Sequence, residues 1–222
     1  MTTAAFDGPQ TREWIRRFAD SVYATEAELT SLDQRTGDGD FGTNLATGVR
    51  AAGLLLDRTD ESAGPAETLG TMATAFLDEI GGTSGPLFGL LFQALSRAAA
   101  DSGPGLTTAA LADGTAQGLA AIRRVGDASP GDKTLVDALD PAAGALRAAG
   151  TAPPATALAT AADGAWRGVR DTASLSARMG RASYLGERAT GIPDPGAVGI
   201  ALFFASAAGT VPALGPHLRP TG

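Results

Sequence analysis

The chain has no cysteine and one histidine, His217, five residues from its end. Without cysteine there is no disulfide framework, no thiolate-held zinc or iron–sulfur cluster and no thiol nucleophile. A single histidine gives no support to a Ser-His-Asp triad or a multi-histidine metal site. Long apolar runs are also missing. Pro86 to Leu91 and Ala197 to Ala208 fall short of the roughly 20 residues a membrane span needs, and the opening MTTAAFDGPQTREWIRR has no apolar stretch of signal-peptide type. These features lead us to expect a cytoplasmic protein with no membrane partner. Basic side chains are few: 17 Lys and Arg face 24 Asp and Glu, for a net charge of −7. That balance argues against a nucleic-acid partner, whose phosphates would need neutralising, but it does not exclude a nucleotide. Whatever chemistry occurs must rest on carboxylates, hydroxyls, backbone amides and metal ions.

The β-branched strand formers are scarce as well, with 7 Val and 5 Ile against 46 Ala. An all-α fold is expected, and the length of 222 residues suits one domain, 1–222. Periodicity agrees. Leu69, Met72, Ala73, Phe76, Leu77 and Ile80 recur at spacings of three and four, as do Trp14, Phe18 and Val22 near the N-terminus, where Thr11 is a candidate cap. With further segments at about 43–57, 86–100, 107–124, 134–149, 156–178 and 196–209, eight helices are expected. Trp14, Phe76, Phe88, Phe92, Phe203 and Phe204 lie on their apolar stretches and read as core.

Two kinds of loop separate these helices. DSGPG (101–105) and GTAPP (150–154) are plain punctuation. TGDGDFGTN (36–44), GGTSGP (81–86), GDASPGDKT (126–134), GRASYLGER (180–188) and PDPG (193–196) combine glycine with charged or hydroxyl residues. Rich and plain loops alternate, so an up-and-down bundle gathers the rich ones at one end, as a composite site.

Asp33, Asp38 and Asp40 form D-x4-D-x-D across a helix end and a glycine-bearing loop. Three clustered carboxylates repel unless cations hold them, and oxygen ligands suit Mg²⁺. Spacing alone leaves an equal alternative, in which Asp33 closes a helix while Asp38 and Asp40 make Asx-turns. The glycine-rich helix entries at 81–85, 42–44 and 194–196 can aim backbone N–H groups at phosphate. GDASPGDKT mimics a P-loop but fails its pattern, because Asp132 precedes Lys133 and no strand leads in. The sole lysine, Lys133, and the sole asparagine, Asn44, both fall in these loops. A lone ammonium among guanidinium groups differs physically from them, which favours a site role for Lys133. In GRASYLGER one of Arg181 and Arg188 suits a phosphate clamp, while the other can pair with Glu187.

LDQRTGDGDFGTN (32–44), GGTSGPLFG (81–89), PGDKTLVDAL (130–139) and GRASYLGERATGIPDPGA (180–197) together resemble the nucleotide-binding L subunit of dihydroxyacetone kinases, in order and over nearly the whole chain. The resemblance implies an eight-helix antiparallel up-and-down barrel with the nucleotide at one end. It makes Asp33, Asp38 and Asp40 the ligands of two Mg²⁺ ions. It also implies nucleotide contacts at Gly42, Thr43, Asn44, Thr83 and Ser84, a purine pocket at Gly126 and Leu135, and further contacts at Arg181, Asp194, Pro195 and Gly196. Phe41 stands within the contact run where the family carries histidine, so an imidazole contact is lost; the nucleotide domain of fatty-acid kinases has threonine there and also reads Gly-Thr-Asn. The family further implies ADP or ATP, a separate sugar-binding K subunit that bonds the ketose through histidine, and in one mode a phosphotransferase-system phosphodonor protein. A chain of this length leaves no room for the K domain, so a phosphoryl-transferring subunit that is inactive alone is expected. Alternatives are a nucleotide-binding regulatory protein of the same fold and the nucleotide domain of an acyl (fatty-acid) kinase.

Overall fold

The computed structural model describes residues 5–78, 84–184 and 186–219. Eight long helices follow one another: α1 (Gly8–Thr36), α2 (Phe41–Leu56), α3 (Pro65–Asp78), α4 (Ser84–Asp101), α5 (Thr108–Gly126), α6 (Val136–Ala149), α7 (Pro154–Thr172) and α8 (Pro195–Ala205). A single turn, α9 (Gly215–Leu218), comes last. Among the described residues the sole strand-like feature is an antiparallel bridge between Phe6 and Leu106. Each helix packs on its successor and α8 packs on α1, closing a ring. No described helix is long and apolar enough to cross a membrane.

The chain ends of the helices follow local chemistry. α1 starts earlier than Thr11 suggests, because Asp7 accepts from the backbone N–H of Gln10 at 2.8 Å while the Gln10 side chain accepts from that of Asp7 at 3.0 Å. This reciprocal pair is a capping box, and Pro in the first turn needs no donor there. Thr11 is instead buried, its hydroxyl donating to the Asp7 carbonyl. α7 stops at Thr172, six residues short of the expected end, because residues beyond it are taken into a long loop.

The core is apolar and aromatic. Trp14 stacks on Phe203 at 4.5 Å between ring centres, and its indole N–H donates to the Phe203 carbonyl at 2.8 Å. Phe18, Phe76, Phe88 and Phe92 continue the cluster along the bundle, fully buried as their sequence positions suggest. The C-terminal segment returns along the bundle: the Val211 amide donates to Ser21, the Leu214 amide reaches the Glu28 carboxylate, and His217 stacks on Trp166 at 4.5 Å. Burial and the neighbouring Arg170 lower the His217 pKa.

Where α6 and α7 cross, Pro141 lacks the N–H that would bond the Asp137 carbonyl, and Gly168 packs against that exposed oxygen. A Cβ at Gly168 would collide with backbone, whereas one at Gly144, in the same helix pair, meets open space. Gly168→Ala is therefore expected to destabilise the fold by about 1–3 kcal/mol in chemical denaturation. Gly144→Ala should be neutral or add roughly 0.5–1 kcal/mol, the helix-interior gain over glycine.

Candidate functional site

Asp33 lies in the last turn of α1 and is 8% exposed. Its carboxylate accepts the backbone N–H of Phe41 at 3.0 Å, so α1 caps the start of α2 across the intervening glycines. Gly39, at φ +80, takes a left-handed turn that suits glycine. Asp40 stands at the N-cap of α2, yet its side chain makes no capping bond. Among the described residues neither Asp38 nor Asp40 takes a backbone hydrogen bond on its carboxylate, so no Asx-turn is formed by either in this structure. Carboxylate oxygens of Asp33, Asp38 and Asp40 lie within 4.8 Å of one another. The Arg181 guanidinium enters this cluster, pairing with Asp38 and approaching Asp40 at 3.6 Å. Glu187 pairs with neither neighbouring arginine among the described residues.

The cluster forms one rim of a cleft of about 290 Å³ at the end of the ring. The N-termini of α2, α4, α6 and α8 converge on it, contributed by Asn44, Ser84, Leu135 and Gly196. Each N-terminus carries partial positive charge and N–H groups without intrahelical acceptors, which suits an anion. The lining also includes apolar side chains: Leu87, Ile122, Ala128, Val136 and Met179. One cleft thus offers carboxylates, helix N-termini and hydrocarbon. That combination fits an amphipathic anion with a flat apolar part, its charge balanced by cations.

Of the residues for which the resemblance implies nucleotide contact, Phe41, Asn44, Ser84, Gly126, Leu135, Arg181, Asp194, Pro195 and Gly196 line the cleft. Gly42 and Thr43 do not. Gly42 is buried against α1, where a Cβ would come within 2.5 Å of the Glu26 carbonyl oxygen, so its glycine serves helix packing. Thr43 faces solvent. Thr83 lies outside the described residues. Phe41 points inward, 6.4 Å from the Phe88 ring, and gives the cleft an apolar corner in place of a hydrogen-bonding group. The apolar lining went unmarked in sequence reasoning, since its residues read like any core face.

Lys133 is 1% exposed and does not address the cleft with its charge. Its ammonium donates to the carbonyls of Thr172 at 2.7 Å, Ala189 at 2.8 Å and Leu175 at 3.1 Å. Burial lowers its pKa, while Asp194 and Asp137 act in the opposite direction. Its rarity marks this lysine as a site candidate without assigning it a role; its ammonium is taken up by three backbone carbonyls. The loop around it is held by Asp137, whose carboxylate accepts the amides of Thr134 at 2.7 Å and Gly131 at 2.5 Å.

A family model described as the DAK2 domain matches residues 35–209. The L-erythrulose 1-kinase of Mycolicibacterium smegmatis is 40% identical over 87% of this chain, which spans about a third (33%) of that relative's length. The ADP-binding subunit DhaL of the PTS-dependent dihydroxyacetone kinase of Lactococcus lactis is 34% identical over 87% of this chain and 93% of its own. The crystal structure of the dihydroxyacetone kinase from C. freundii in complex with AMP-PNP and Mg²⁺ superposes with a TM-score of 0.68 at 28% identity, over 89% of this chain and 33% of that one.

Asp194 caps α8 by accepting the Ala197 amide at 2.7 Å. Its pKa is pushed up to about 7, chiefly by burial and further by Asp137 and Asp33, against the pull of the Ala197 amide and Lys133. A carboxyl whose folded pKa lies above its unfolded value favours the folded state when protonated, so its contribution is lost as pH rises from about 4 to about 7. Asp194→Asn, which retains a capping oxygen, is expected to flatten this decline. Thermal denaturation of both proteins without nucleotide from pH 4 to 7.5 checks it; parallel curves would refute the assignment.

Proposed function

The chain belongs to the DAK2 domain family, and on that premise we propose that it is the nucleotide-binding, phosphoryl-transferring subunit of a dihydroxyacetone-type (small ketose) kinase. The observation that carries this reading is the cluster of Asp33, Asp38 and Asp40 at the rim of a cleft lined by helix N-termini and apolar side chains. An all-oxygen carboxylate set of this kind fits Mg²⁺, and two ions held there would bridge carboxylates to phosphates and offset their charge.

The rest of the cleft has a part to play without covalent chemistry. The N-termini of α2, α4, α6 and α8 supply amides for phosphate oxygens, and Arg181 is placed to exchange its carboxylate partners for a phosphate. Leu87, Ile122, Leu135 and Met179 can enclose the purine of ADP or ATP. Phe41 adds no donor or acceptor, so orientation falls on Asn44 and the backbone. Phosphoryl transfer needs positioning and charge stabilisation above all, which matches a site without histidine.

Among the described residues the cleft carries no histidine that could bond a ketose carbonyl, and the reading assigns the acceptor to a separate K-type sugar-binding subunit. Relatives that nearly match this chain in length are named as ADP-binding subunits of PTS- or PEP-dependent dihydroxyacetone kinases, which supports that division and a phosphotransferase-system protein as one phosphodonor. Relatives named for erythrulose extend the acceptor class to four-carbon ketoses. The reading takes residues 1–222 as one nucleotide-binding domain and implies a cytoplasmic setting, where such nucleotides are found.

Asp38→Asn and Asp40→Asn are each expected to weaken Mg-ADP binding at least about tenfold, roughly 1.4 kcal/mol, and to shrink the thermal stabilisation that Mg-ADP confers. An unchanged shift would remove the metal assignment. Incubation with ATP, Mg²⁺, dihydroxyacetone or erythrulose and a K-type subunit should yield sugar phosphate only when the subunit is present. Nucleotide binding with no transfer to any partner would instead favour a sensing role.

A further inference from the structure

Residues 173–194 connect α7 to α8, and their middle brings Met179, Gly180 and Arg181 to the cleft. The outer part consists of two single-turn 3-10 segments, Arg181–Tyr184 and Gly186–Ala189, with Tyr184 89% exposed. Apart from the Arg181 ion pairs and the Ala189 carbonyl at its end, its described hydrogen bonds are local, such as Ser183 to the Gly180 carbonyl. The base of the segment is tied far more firmly. The Gly191 amide donates to the Ala173 carbonyl at 2.7 Å, and the Asp194 amide to the Thr172 hydroxyl at 2.9 Å.

Lys133 completes this base. Its three ammonium hydrogens meet three carbonyls: Thr172 and Leu175 on the outgoing arm, and Ala189 on the returning one. An ammonium has three donors and no acceptor, so the group is fully satisfied and none of it remains for a ligand. Burying this charge is tolerable because carbonyl dipoles replace its hydration. A planar guanidinium cannot converge on three oxygens around one nitrogen, which gives a physical reason for one lysine in a chain with sixteen arginines. The adjacent Asp132 grips the same arm, its carbonyl accepting the Arg178 amide at 3.1 Å and its carboxylate lying 3.6 Å from the Arg178 guanidinium.

We propose that Lys133 is a positioning residue of the nucleotide site: it clamps both arms of the 173–194 segment and so fixes where Met179 lines the cleft and where Arg181 meets the carboxylate cluster. The inference rests on the Mg-nucleotide reading of the cleft, and Lys133 acts through Arg181 without touching the ligand.

The test compares wild type, K133M, K133R, R181Q and K133M/R181Q. Calorimetry with Mg-ADP should show K133M weakening binding about tenfold, and K133R doing nearly the same. In the R181Q background the further loss should shrink to below about threefold, since both substitutions disable one device. Trypsin mapping should show faster cleavage of K133M after Arg178 and Arg188, with Arg123 and Arg124 unchanged. A folded K133M that binds Mg-ADP like wild type, or whose loss is fully additive with R181Q, overturns the proposal. If K133M does not fold, hydrogen exchange of wild type decides: amides of residues 173–175 and 191–194 should be protected like α7 while 180–184 exchange quickly, and equal exchange overturns the clamp. Wild type that binds no Mg-ADP would instead refute the nucleotide reading, whereas the proteolysis and exchange results report on the clamp alone.

Discussion

A helix with no polar face must be covered on every side, and α8 is such a helix. Its residues from Pro195 to Phe204 are all buried, against α1, α2, α6 and α7. The arrangement of the bundle follows from this demand. Trp14 reaches α8 with both a stacked ring and an indole hydrogen bond, and Ser21 bonds Ser206 just beyond its end. Because α8 is enclosed, its N-terminus opens on the cleft, as do the N-termini of α2, α4 and α6. Apolar burial thus sets the position of the dipoles that would meet a phosphate.

The charges at this end are arranged by how well each can be solvated or paired. Lys133 is sealed away from water, so carbonyls satisfy it fully. Burial, with Asp137 and Asp33 nearby, pushes the pKa of Asp194, which lines the cleft, up to about 7. Asp38 and Asp40 are exposed and free of backbone donors, so they can take a mobile cation, and in this structure Arg181 supplies one. An arginine between carboxylates and prospective phosphate has a competitor in any bound metal. Within the protein, Arg181 thus offsets part of the carboxylate charge.

Much of this was legible along the chain. The eight helices follow from alanine richness and spacings of three and four, and the side-by-side rich loops from their alternation. The aspartates were visible as a pattern, though spacing did not separate a metal site from Asx-turns. Helix ends were less legible: Asp7 and Gln10 cap α1 by a reciprocal pair that Thr11 obscured, and α7 ends at Thr172, whose carbonyl accepts from Lys133, distant in sequence. Gly42 shows the same limit, since a glycine beside a phosphate and one beneath a crossing helix look identical in a sequence.

The sequence by itself determined which chemistry is available: carboxylates, amides and a single lysine, with no thiol and a single histidine, because composition bounds chemistry whatever the fold. It also determined the helices, because side-chain period is a local property. Only the tertiary structure decided which side of each loop residue faces the cleft. It turned Lys133 from a site candidate into a brace, assigned Gly42 to packing, and assembled the apolar lining from Leu87, Ile122 and Met179. The reason is physical: burial and hydrogen-bond satisfaction are settled between elements far apart in the chain, and no local pattern records them.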